Sequence, residues 1–83
     1  MEQIARAAAQ LGAALRRRRR SLGMTQSDVS ARTHLRQATI SRLENGEPKA
    51  QLQTVVDVLA ALDLELVVRP RTKAGTSWIE DVF

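Results

Sequence analysis

The sequence predicts an all-α bundle of four to five short helices, followed by one short C-terminal β-strand that pairs across a dimer. Three observations carry that prediction. Apolar residues recur at three- and four-residue spacing through most of the chain. Helix caps and stops punctuate it, with Thr25 and Asp28 at one start and Gly46 and Pro48 at one end. Beyond Leu62 the pattern changes to LELVVR, rich in β-branched residues.

The first helix is expected over Met1 to Leu22, where Ile4, Ala8, Leu11, Leu15 and Leu22 share one face. Alanine and arginine both favour helix. Gly12 is tolerated there and would permit a close helix contact. The run Arg16 to Arg20 cannot serve one purpose, because consecutive helical residues point all the way round. Gly23 and Met24 make a short link. Thr25 is a good N-cap, and Asp28 fills the acidic slot of a capping box with a shorter reach than Glu. Val29 points inward, and Ser30 is small enough to admit a neighbouring helix. This second helix is expected to fade at Arg32 or Thr33. Thr33, His34 and Leu35 form a turn, with Leu35 as its apolar plug. A third helix runs from Gln37 to Glu44 or Asn45, with Ile40 and Leu43 facing the core. Gly46 supplies the left-handed position that ends it, and Pro48 stops it from resuming.

Two short helices joined by a tight turn are the layout of a helix-turn-helix, whose second helix enters the DNA major groove. Gln37, Ala38, Thr39, Ser41 and Arg42 are left off the core face. Gln pairs with adenine N6 and N7. Thr and Ser bond bases or phosphates. Ala and the Thr methyl touch a thymine methyl, and Arg reaches guanine or phosphate. These five are the candidate base readers. The bland alternative is a solvated helix face, and the length of the whole pattern argues against it.

The segment TQSDVSARTHLRQATISRLENG, Thr25 to Gly46, resembles the lambda-repressor/Cro-like (XRE) helix-turn-helix family. It is similar in particular to HipB-type antitoxins, which share the QATIS run. With the flanking helices, the general resemblance spans Leu11 to Leu64. Ser30 stands where the family usually has Ala, Thr33 where it has Leu, and His34 where it has the turn Gly. His34 would then take a left-handed conformation, at about 1 kcal/mol or more for a residue with a Cβ. The resemblance implies a lambda-repressor-like bundle in which Arg19 pairs with Glu44. Arg16, Arg17 and Arg20 are expected at DNA phosphates, with Gln26 and Arg36 beside them, adding salt-dependent affinity. A solvated basic face is the alternative for any one of these arginines.

Glu47 to Ala50 read as a loop and Leu52 to Leu62 as a further helix. Leu52, Val55, Val56, Leu59 and Leu62 give its apolar stripe, read as core. Leu64 to Arg69 reads as a strand that Pro70 ends. A lone strand leaves an unpaired edge, and antiparallel pairing with a second copy is the simplest remedy. Leu64, Leu66, Val67 and Val68 would form that dimer strand, an arrangement that resembles HipB-type proteins. The alternative is a tail segment packed on its own domain. Arg71 to Thr76 is a polar linker. The closing SWIEDVF holds the chain's single Trp and single Phe. Trp78, Ile79, Val82 and Phe83 beside Glu80 and Asp81 look like a docking peptide that orders on binding. Folding back onto the domain is the other reading. In HipB-type antitoxins a C-terminal tail contacts a kinase-like toxin, and the resemblance implies the same use here. The expected plan is a helix-turn-helix domain over 1–63, a dimerisation strand over 64–70 and a flexible tail over 71–83.

At 83 residues the chain is one small domain with a thin aliphatic core, a size that often needs a partner subunit. It has no Cys, hence no disulfide or thiolate metal site, which fits a reducing cytosol. No apolar run approaches the ~20 residues of a membrane span, and no signal peptide is expected. Residues 1–50 hold ten Lys/Arg against four Asp/Glu, and residues 51–83 three against five. That basic front suits nucleic acid. With one His and no glycine-rich phosphate loop, there is no catalytic constellation, and no cofactor or metal is expected. The reading is a cytoplasmic homodimeric repressor of a palindromic double-stranded operator, acting as an antitoxin that binds a HipA-like kinase toxin and represses its own operon. The alternatives are a stand-alone repressor and a protein-interaction adaptor that has lost DNA binding.

Overall fold

The computed structural model describes residues 2–71. Four α-helices follow one another there: α1 (Ala8–Ser21), α2 (Gln26–Thr33), α3 (Gln37–Glu44) and α4 (Leu52–Ala61). Helix α1 starts later than its composition suggests. Its cap, Ala7, is extended and offers no side-chain hydrogen bond. Gln10 substitutes in part, its Oε1 accepting from the Arg6 backbone N–H at 2.6 Å. Helix propensity alone does not hold a terminal segment that has little to pack against, and Ile4 stays 53% exposed. Leu22, just past the helix, is 43% exposed. Only Leu11 and Leu15 carry α1 firmly into the core.

Helix α2 opens on a complete capping box. The Thr25 hydroxyl accepts from the Asp28 N–H at 3.0 Å, and Asp28 Oδ2 accepts from the Thr25 N–H at 2.8 Å. The Thr25 backbone bond, then its side chain, hold the Asp28 carboxyl below its usual range. His34 closes α2 in the left-handed region, φ 62° and ψ 15°, donating its N–H to Ser30 at 2.9 Å. The hydroxyls at the two unusual positions bind this turn together. Thr33 Oγ1 donates to the Val29 carbonyl at 2.8 Å and accepts from the Leu35 N–H at 3.2 Å. Ser30 Oγ donates to the Leu35 carbonyl.

Helices α1, α3 and α4 end alike. Gly23, Gly46 and Asp63 take positive φ, and paired backbone bonds close each last turn. At α4 these run from Leu64 N–H to Leu59 O at 2.8 Å and from Asp63 N–H to Ala60 O at 3.1 Å.

The core is aliphatic: Leu15, Val29, Ile40, Leu43, Val55, Val58, Leu59 and Leu62. Two positions of the expected α4 stripe are not part of it. Leu52 is 68% and Val56 40% exposed, while Val58 is buried in their place. Val55, Val58, Leu59 and Leu62 follow one helical face; Leu52 and Val56 share the flank beside it, which the described residues leave exposed. After Asp63, no strand forms among the described residues, since a ladder needs a partner. Leu66, Val67 and Val68 are exposed there and Leu64 is half-buried.

Candidate nucleic-acid interface

Ile40 and Leu43, 1% and 4% exposed, fix the rotation of α3 about its axis. That rotation leaves Gln37, Ala38 and Arg42 exposed and Thr39 and Ser41 half-buried. The five candidate readers thus lie on one short helix, off its packed face. Arg36, the exposed N-cap of α3, makes no side-chain cap bond.

The close approach of α1 to the end of α3 sets where that face stands. A Cβ on Gly12 would lie 2.5 Å from the Leu43 carbonyl oxygen and 2.6 Å from that of Glu44. One on Gly46 would meet Ala9 Cα at 2.8 Å.

The arginine run divides as helix geometry requires. Arg19 points inward and grips Glu44 with both ends of its fork, Nε to Oε2 at 2.6 Å and Nη2 to Oε1 at 3.0 Å. Its Nη1 also donates to the Met24 carbonyl at 2.9 Å. Both residues of this pair are 8% exposed. Gln26 joins it, Nε2 donating to Glu44 Oε1 at 3.1 Å. Burial alone pushes the Glu44 carboxyl up. The hydrogen bonds from Arg19 and Gln26, with the charges of Arg19 and Arg16, outweigh it and hold the group below its usual range. The bond to Glu44 raises Arg19, which stays charged.

Arg18 points the other way. Its Nε donates to the Leu62 carbonyl at 3.0 Å, at the C-terminal end of α4, where a cation also suits the helix dipole. Its 4.0 Å approach to Asp63 adds little, because that carboxylate is 99% exposed. Arg17 is held by the N-terminal segment, Nη2 donating to Gln3 Oε1 at 2.6 Å, and Glu2 lies 3.7 Å from Arg69. Arg16, Arg17 and Arg20 are exposed.

Sequence reasoning passed over Arg18, whose partner lies 44 residues away. It also passed over a groove of about 400 Å³ beside α3, lined by Thr39, Arg42, Glu47, Lys49, Gln51 and Thr54. The expected docking residues Trp78, Ile79, Val82 and Phe83 lie outside the described residues. Among the described residues, no cluster of His, Asp or Glu could hold a metal ion. No helix there is long and apolar enough to cross a membrane.

Residues 15–68 match HTH_3, the helix-turn-helix family. An uncharacterized HTH-type transcriptional regulator, y4dL of Sinorhizobium fredii, is 44% identical over 57 residues, 69% of this chain. The chain spans only 29% of that relative's length. Among solved structures it is similar to a HipB-O4 20mer complex, with a TM-score of 0.76 and 31% identity over 81% of this chain and 94% of that one. A HipA-HipB-O2-O3 complex gives 0.75 and 31% at the same coverage. A restriction-modification controller protein, 17% identical over 76% of this chain and 80% of its own, shares the fold at a TM-score of 0.65.

Proposed function

The chain belongs to the helix-turn-helix family HTH_3, and from that premise we propose that it is a sequence-specific DNA-binding repressor that acts as a symmetric dimer. One observation carries the reading. Helix α3 holds Gln37, Ala38, Thr39, Ser41 and Arg42 off the core face while Ile40 and Leu43 anchor it. Side chains of those types read base edges in a major groove. Arg16, Arg17, Arg20 and Arg36 supply phosphate contacts. Arg17 leaves Gln3 to do so. The operator is palindromic, with half-site centres about 34 Å apart or a multiple of that. Leu64, Leu66, Val67 and Val68 pair with their copies across the two-fold axis.

The same reading makes the chain the antitoxin of a toxin–antitoxin pair. Its tail, through Trp78, Ile79, Val82 and Phe83, holds a HipA-like kinase toxin, and the complex represses its own operon. The similarity to HipB structures, one of them a complex with HipA, supports this. A stand-alone repressor is the second reading. A pull-down with the full chain and with a chain ending at Arg71 separates the two. A kinase captured by the full chain alone is the expected result. No captured partner, with tight operator binding by both chains, leaves the stand-alone repressor.

Two substitutions test the DNA face. Gln37→Ala is expected to lose about 1–3 kcal/mol and to relax preference at one base pair. Arg16→Ala is expected to weaken all sequences alike and flatten the salt slope by about one unit. Binding titrations against operator and random duplexes over a salt series read both. Equal losses on the two duplexes for Gln37→Ala would show that α3 presents a different face.

A further inference from the structure

Leu62 is the C-cap of α4 and is 1% exposed, so its backbone carbonyl is shut away from water. A buried carbonyl needs a donor. Arg18, half-buried near the end of α1, supplies it, with Nε 3.0 Å from that oxygen. The next residue, Asp63, turns the chain through the left-handed region at φ 56°. Leu64 then donates its N–H to the Leu59 carbonyl at 2.8 Å, and its half-buried side chain packs against the core. Beyond this point Leu66, Val67 and Val68 are exposed. The turn therefore aims the segment that leaves the domain, and Arg18 holds the turn from outside α4. Arg19, the neighbour of Arg18 on α1, holds Glu44, the last residue of α3. Two consecutive side chains, pointing apart as helix geometry requires, thus tie the end of α3 and the exit of the chain to one turn of α1.

We propose that Arg18 is a positioning residue for the spacing of the two operator half-sites: by fixing the turn at residues 62–64, it sets the direction in which Leu64, Leu66, Val67 and Val68 carry the second copy. This rests on the symmetric-dimer reading above. In such a dimer the path from one α3 to the other crosses this turn once in each copy. One base pair moves a half-site by about 3.4 Å along the duplex and about 34° around it. A dimer whose two turns are fixed fits one spacing. A dimer whose turns hinge fits several, and it meets an ordering cost each time it binds. In this role Arg18 touches no DNA.

The test starts from duplexes that the full chain selects from random DNA. The two half-sites of the selected sequence are then moved one base pair closer or farther, and a single half-site serves as the reference. The wild type is expected to lose at least about tenfold on either altered spacing. Arg18→Met is expected to bind the selected spacing about tenfold more weakly and to discriminate between spacings by less than about threefold. On the single half-site it is expected to match the wild type within about twofold. Arg18→Lys, whose ammonium still donates to a carbonyl, is expected to restore the spacing preference. Circular dichroism checks the fold of both variants. An unchanged spacing preference in Arg18→Met would overturn the proposal, because Arg18 would then serve stability alone. A loss on the single half-site equal to that on the full palindrome would overturn it too, because Arg18 would then act on the DNA face. A second measurement needs no variant. Hydrogen exchange of the Arg18 Nε–H in the free wild-type chain is expected to run at least about tenfold slower than that of exposed Arg16. Equal rates would overturn the proposal even if Arg18→Met failed to fold. If the wild type selected no palindrome, or showed no spacing preference of its own, the dimer reading would fall and the proposal with it. A protected Arg18 Nε–H would distinguish that case from a missing Leu62 contact.

Discussion

Arg19→Met is expected to cost about 3–5 kcal/mol, a large share of the about 5–15 kcal/mol that holds a small domain together. The substitution strands a carboxylate that is 8% exposed and removes both short bonds from the guanidinium. Gln26 alone cannot replace a cation. Replacing Glu44 by Leu in the same chain is expected to recover most of the loss, because an apolar pair carries no desolvation penalty. Urea unfolding of the wild type and the two variants reads the effect. Its pH dependence has a definite sign. In the wild type the folded-state pKa of Glu44 lies below its unfolded value. Its contribution is therefore full above about pH 4.3 and lost as pH falls through the folded value. Without Arg19, the hydrogen bond and charge that most oppose burial are gone, so the Glu44 pKa is expected to rise and acid then costs the variant less than the wild type. The gap between wild type and Arg19→Met is thus widest near neutrality and narrows in acid. A gap that stayed constant down to the acid transition would mean that Glu44 is not the group left stranded.

Gly12→Ala is expected to destabilise the chain by about 3 kcal/mol. Helix propensity alone predicts the opposite sign, a gain of about 1 kcal/mol from replacing a helical Gly by Ala. The added Cβ would stand 2.5 and 2.6 Å from two carbonyl oxygens of α3, which belong to backbone and cannot rotate away. Relief requires α1 and α3 to separate, and that strains the Arg19–Glu44 pair between the same two helices. Thermal and urea unfolding check the sign. A more stable Gly12→Ala would show that the two helices can part cheaply. If the variant folds, its DNA affinity should also fall, because α3 carries the candidate reading face.

What could be read in advance was local. The capping box of Thr25 and Asp28 spans three residues, and Gly46 ends α3 within its own last turn. His34 in the left-handed region followed from the family resemblance, which puts the turn Gly at its position. The helix-turn-helix family was legible for the same reason, since its motif is one continuous segment. The beginning of α1 was not legible. Alanines favour helix wherever they stand, and whether residues 2–7 join the helix depends on what they pack against. The stripe of α4 shows the same limit. Leu52 and Val56 fit the spacing of an apolar face, yet spacing does not say which flank the neighbouring helices cover.

By itself the sequence determined the order of the helices, their caps and stops, and the set of polar side chains left off the α3 core face. Each of these rests on interactions within a turn or two of helix, so neighbours in the chain suffice. The Arg19–Glu44 pair, 25 residues apart, followed from the family resemblance, and the tertiary structure alone decided that Arg18 goes to the end of α4, 44 residues away. It also decided that Gly12 faces the Leu43 and Glu44 carbonyls of α3 and that Gln26 is anchored by Glu44. Helical periodicity assigns a direction to each side chain, but only the packing of distant segments says what waits there.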